Sequence, residues 1–210
     1  EMDPETRAAF AGVLKNLLES GILPDGRQLE AWEPHDSGNS FAVADVDADG
    51  KEELILYYVT ADMAGMCGYV MGYDAGSSIH IQLKEFPSME FYGNGAVKAM
   101  LSHNQTGGNL WPYTLYTYLP ESDSYQQIAI VHAWDKSLRS TNEWGEPFPD
   151  TADRSGTGTV YYVEPDGWEE SDPIDEADYL AWEENALAGS PQLTLSFLPL
   201  TRESIAALEG

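Results

Sequence analysis

Apolar positions near the start of the chain recur with a helical period. Phe10, Val13, Leu14, Leu17 and Leu18 share one face, the pattern of an amphipathic helix docked on a core. Asp3-Pro4-Glu5 supplies its start and Gly21 its end: Asp can cap the first N–H groups, Pro suits the first helical position, and an acid suits the first turn. From Leu23 to Asn39 the period is lost among Pro24, Gly26, Pro34 and Gly38, which reads as loop.

The period then shortens to two. Phe41 to Ala44 reads as a short strand and Leu54 to Val59 as a longer, mostly buried one. Cys67 to Tyr73 and Ile79 to Leu83 form a hairpin through Asp74-Ala75-Gly76-Ser77, with Ile79, Ile81 and Leu83 alternating against His80, Gln82 and Lys84. Asn94-Gly95 marks a turn between Met89–Tyr92 and Ala96–Ser102. Tyr113–Leu119 and Tyr125–Trp134 are β-branched and aromatic, joined through Pro120–Ser124. Residues 135–158 are polar and turn-rich. Thr159–Val163 reads as a strand, and Asp175–Leu187 as a helix with Ala177, Leu180, Ala181, Glu184 and Leu187 along one side and with Tyr179 and Trp182, three apart, to dock it on the sheet. Leu193, Leu195 and Phe197 give a last strand, and Thr201 caps a short terminal helix.

The pattern predicts an α+β fold: an antiparallel β-meander with an N-terminal helix and a C-terminal strand-helix-strand unit. A single domain spans 1–210, with helix and loop over 1–40, the meander over 41–134, a loop over 135–158 and the C-terminal unit over 159–210. At 210 residues the chain can bury a core without disulfides. Its twelve Tyr and six Trp fit a folded chain, because disordered segments are poor in aromatics.

Charge narrows the partners. Thirty-six Asp and Glu face ten Lys and Arg, a formal net charge of −26. Nucleic-acid phosphates and anionic membrane surfaces are repelled, and cations are the natural ligands. No run reaches the roughly 18 apolar residues of a transmembrane helix. No signal peptide is visible, and the opening Glu1-Met2-Asp3-Pro4 reads as a trimmed start that leaves room for a leader or lipid anchor upstream. The lone Cys67 reads as a small buried hydrophobe.

One stretch carries chemistry. Asp45-Val46-Asp47-Ala48-Asp49-Gly50-Lys51-Glu52-Glu53 places carboxylates at loop positions 1, 3 and 5. Gly50 permits a backbone conformation that other residues resist. Ca²⁺ takes about six to eight oxygens at short range. Asp45, Asp47 and Asp49 can converge on one point, the Lys51 carbonyl adds an oxygen, and Glu53 adds a fourth carboxylate directly or through water. Nitrogen and sulfur donors are absent, which favours Ca²⁺ over zinc. An EF-hand would need Glu at position 12, where this chain has Leu56 inside an apolar strand. The competing reading is a solvated acidic turn.

Between two strands, Asp45, Asp47, Asp49, Gly50, Glu53 and Leu54, led by Phe41-Ala42-Val43-Ala44, resemble the calcium loops of FG-GAP and VCBS-type repeats. The family more often has Asp where this chain has Glu53. The likeness covers about twenty of the 210 residues. A propeller needs at least about four blades and the loop occurs once, so the resemblance implies a calcium loop and not a propeller. More loosely the chain resembles secreted or lipid-anchored bacterial surface proteins that carry one such loop.

Catalytic signals are missing. His35, His80, His103 and His132 offer no zinc-type i, i+4 pair, and His80 and His132 read as ordinary exposed or satisfied strand residues. No Gly-x-Ser-x-Gly turn is present. Ser102 to Tyr113 packs amides, His103 and aromatics around Gly107-Gly108, a stretch able to grip a glycan but more simply a loop with aromatics packed beneath it. The expectation is a non-enzymatic, calcium-binding extracytoplasmic protein that binds a glycan or protein partner. The alternatives are a secreted hydrolase of polysaccharide or peptide with a structural calcium ion and, more weakly, an immunity or inhibitor-type protein.

Overall fold

The structure, a computed structural model, describes residues 2–30, 38–74, 76, 78–165, 167–168 and 171–210. His35, much of the early loop, and Ala75 and Ser77 of the 74–77 turn lie outside them. Contacts along the chain group it into two compact units. The first is Glu1–Pro87, Leu119–Ser124 and Thr194–Gly210; the second is Ser88–Tyr118 and Tyr125–Leu193.

In the first unit, α1 (Pro4–Ser20) begins where Asp3 accepts the Glu5 and Thr6 N–H groups at 2.9 and 3.0 Å. It ends where Gly21 takes a left-handed φ of 64°, as a helix C-terminus commonly does. Phe10, Leu14, Leu17 and Leu18 are buried as their spacing predicts. They pack with Leu54 and Leu56 of β2 (Glu53–Tyr58) and with Tyr69 and Met71 of β3 (Cys67–Tyr73). The sheet is completed by β1 (Ser40–Ala44), β4 (Ile79–Glu85) and β10 (Leu198–Pro199), in the order β10-β1-β2-β3-β4. The terminal helix α3 (Arg202–Glu209), capped by the Thr201 hydroxyl on the Ser204 N–H, adds Ile205 to the same core.

The second unit holds β5 (Met89–Phe91), β6 (Ala96–Met100), β7 (Tyr113–Leu119), β8 (Ser124–Asp135) and β9 (Thr159–Glu164), paired in chain order as a meander. The β7–β8 tip groups with the first unit. Helix α2 (Glu176–Leu187), capped by Asp175, docks through Tyr179, which stacks on Tyr161 with ring centroids 4.7 Å apart. Glu183 accepts from the Tyr113 and Tyr179 hydroxyls and from Lys98.

Both sheets are antiparallel and the class is α+β. Three local expectations are corrected. Helix α2 docks through Tyr179 and Trp182 as expected, with Ala186 and Leu187, but Leu180 of the predicted aliphatic stripe is exposed, because ring stacking outweighs that stripe. Residues 193–197 form no strand; only Leu198–Pro199 pairs, on the edge of β1. The succession β9–α2–β10 is present along the chain, but its two strands join different sheets.

Candidate metal centre

Strands β1 and β2 pair from Ser40↔Tyr57 to Ala44↔Glu53, so the acidic stretch is the connection between two adjacent strands. Val46, buried inside it, anchors the loop to the core. The remaining residues turn back on themselves. Ala48 and Gly50 both take positive φ, 67° and 89°, a conformation that L side chains resist. Nothing lies within 4 Å of where a Gly50 Cβ would stand, so the demand for glycine there comes from the backbone and not from crowding.

The turns are tied by the loop's own carboxylates. Asp45 accepts from the Ala48 N–H at 2.8 Å and the Gly50 N–H at 3.1 Å. Asp47 accepts from the Asp49 N–H at 3.0 Å, and Asp49 from the Lys51 N–H at 2.7 Å. This ladder brings one carboxylate oxygen from each of Asp45, Asp47 and Asp49 within 4.8 Å of the others. Glu53, the first residue of β2, is almost wholly buried and accepts the Val46 N–H at 2.9 Å. The Lys51 ammonium lies between Asp74, at 3.1 Å, and Asp49, at 3.7 Å.

Electrostatics make the loop costly in the absence of a cation. Burial, reinforced by the charges of Asp47, Asp49 and Asp45, pushes the Glu53 carboxyl up to about 9. Burial also raises Asp47, with Asp49 and Asp45 adding to it. Desolvation and like charge both penalise the ionised carboxylate. A bound cation opposes both. The donors offered are carboxylate oxygens, the set a hard divalent ion takes.

The alternation in β4 predicts Gln82 on the solvated face, yet it is buried. Its amide donates to Asp47 at 3.0 Å and to Asp123 at 2.6 Å. Asp123 comes from the 119–124 segment and also lies 2.8 Å from His80 Nε2. Asp74, His80 and Asp123 make a second group whose ligand atoms lie within 4.8 Å of one another. No spacing rule could find it, because three separate turns and strands supply it.

The other sequence candidates fall elsewhere. Cys67 is buried, with an Arg27 N–H 3.7 Å from its sulfur. In the second unit Ser102, His103 and Gln105 line a cleft of about 350 Å³ together with Leu101, Glu143 and Trp168. The glycine there answers to packing: a Cβ on Gly108 would sit 2.5 Å from the Ala133 carbonyl oxygen. Asn104 is spent on the Gly108 carbonyl and the Thr106 hydroxyl. His132 departs from the expectation of an exposed or satisfied residue. It is fully buried, and its ring stacks on Tyr162 at 4.8 Å and on Trp168 at 3.9 Å. Neither ring nitrogen has a hydrogen bond among the described residues. Nε2 lies 3.6 Å from Glu164. Burial, with the Arg139 charge adding to it, holds this imidazole down at about 3.

Among the described residues no helix is long and apolar enough to cross a membrane. The chain matches no protein-family model, no curated protein and no solved structure.

Proposed function

We propose that this protein is a non-catalytic, calcium-stabilised module that works outside the cytoplasm, its ion held by Asp45, Asp47, Asp49, Glu53 and the Lys51 carbonyl. The observation that carries the reading is the convergence of the three aspartate carboxylates in a loop whose own backbone N–H groups orient them. The buried Glu53 beside them supports it, since a neighbouring cation would restore its ordinary ionisation. Extracellular calcium modules bind at about 10⁻⁴ to 10⁻³ M, a range matched to millimolar calcium outside a cell. The net charge of −26 suits a protein kept in solution by self-repulsion.

The test is a thermal melt with calorimetric titration. Calcium at about a hundred times Kd should stabilise the protein by about 2.7 kcal/mol. Magnesium should do less, because it holds its waters and demands a tighter octahedron. Asp47→Ala should remove most of the calcium response and leave the calcium-free protein no less stable, since it also removes repulsion. No heat of binding at millimolar calcium, with a melting curve unmoved by chelator, would reduce the loop to an acidic turn.

For a ligand, the cleft beside Trp168 is the place to look. An indole next to Gln105, Ser102 and His103 combines an apolar platform with a few polar groups, as sugar-sized ligand sites do. Screening soluble glycans against wild type and Trp168→Ala tests it. Calcium-independent hydrolysis of a bound glycan, lost in Glu143→Gln, would instead favour the hydrolase reading.

A further inference from the structure

We propose that Asp74, His80 and Asp123 form a second cation site in the first unit, built for a divalent transition ion of the Zn²⁺ type. The three residues come from the end of β3, from β4 and from the 119–124 segment. One ligand atom of each lies within 4.8 Å of the other two. His80 Nε2 stands 2.8 Å from Asp123 Oδ2, but this shielded nitrogen is not aligned to make a hydrogen bond. Two ligands aimed at a common third point have that relation; a hydrogen-bonded pair would point at each other.

Two further observations show that the place is shaped. Gly72 pairs with His80 across β3 and β4. A Cβ on Gly72 would meet the His80 ring at 2.9 Å and the Gln82 amide at 3.0 Å, so the missing side chain leaves room for both over the strand. Gln82 itself is 6% exposed. Its nitrogen reaches Asp123 at 2.6 Å, while its carbonyl oxygen is buried with no hydrogen-bond partner among the described residues. An unmatched buried carbonyl is costly. At the edge of two carboxylates and an imidazole, a cation is the group that would use it.

The donor set selects the ion. An imidazole with carboxylates suits zinc and its neighbours, whereas Ca²⁺ prefers oxygen alone. Three protein ligands leave a fourth position open to water or an exogenous ligand. The Lys51 ammonium at 3.1 Å from Asp74 shows that this carboxylate already attracts positive charge. The site shares no ligand with the Asp45–Glu53 loop and touches it through the Gln82 bridge to Asp47 and the Lys51 bridge to Asp49.

The test is a Zn²⁺ titration of the intact chain by calorimetry with calcium saturating, repeated with Co²⁺ read by its visible absorption. One site is expected. His80→Ala and Asp123→Asn should each weaken Zn²⁺ by more than about 100-fold, the upper cost of losing only an outer-shell partner. His132→Phe, in the other unit, should leave Zn²⁺ affinity unchanged, and near-UV circular dichroism should show each variant folded. Absence of Zn²⁺ binding would leave His80 and Asp123 as close neighbours only and overturn the proposal. So would binding that survives both His80→Ala and Asp123→Asn, which would place the ion at another histidine. A loop that ignores calcium would not bear on this result, and a loop that binds calcium would not rescue it.

Discussion

The Asp45–Glu53 loop of the first unit and the His132 stack of the second both hold ionisable groups away from water, and they meet the cost in opposite ways. In the loop, burial and then the charges of Asp47, Asp49 and Asp45 push Glu53 up to about 9. Around His132 the walls are the Tyr162 and Trp168 rings. Its imidazole is held down at about 3, chiefly by burial. Both groups are therefore neutral near pH 7 in the metal-free protein. On the proposed calcium reading, a cation held by Asp45, Asp47 and Asp49 would reverse this at Glu53, and His132 has no such group of carboxylates around it among the described residues.

The contrast predicts opposite pH slopes. Glu53 has a folded value above its ordinary 4.5, so folding takes up a proton between the two. The calcium-free protein should lose stability as pH rises from about 4.5 toward about 9, at a limiting slope of about 1.4 kcal/mol per unit. Urea melts of wild type against Glu53→Gln should isolate this slope, which saturating calcium should flatten. A wild-type slope identical to that of the Gln variant would break the loop side of the comparison.

His132 works in the other direction. Its folded value lies below the ordinary 6.5, so the unfolded chain binds the proton first. Its share of stability is intact above about 6.5 and is lost as pH falls toward about 3, with the same limiting slope. His132→Phe should abolish the difference while keeping the ring stack. At neutral pH that substitution should cost under about 1.5 kcal/mol, as volume-conserving swaps do. His132→Ala should cost about 3 kcal/mol through the cavity it leaves. Equal losses in the two variants would show that the ring nitrogens matter and not the shape. A further effect belongs to the loop backbone: Gly50→Ala, forced to a φ of 89°, should cost about 1–2 kcal/mol and weaken the calcium response.

The sequence alone was enough for whatever is local. Helix α1 with its Asp3 cap and Gly21 stop, the strand runs of the meander, and the three aspartates with the Gly50 turn are written in consecutive residues, and short-range sterics and period decide them. Tyr179 and Trp182 were legible as the docking residues of α2, but the exposure of Leu180 was not, because helical spacing cannot say that Tyr161 waits on β9 for Tyr179. The 193–197 run was misread because alternation does not supply a partner strand. Gln82 and His80 looked like solvated positions of an alternating strand, and His132 like a satisfied one. Only the tertiary structure placed Asp47 and Asp123 over Gln82, and Trp168 over His132. The reason is physical: a side chain's charge state, burial and ligand geometry depend on groups within a few ångströms in space. For these residues those groups lie tens of positions away in the chain.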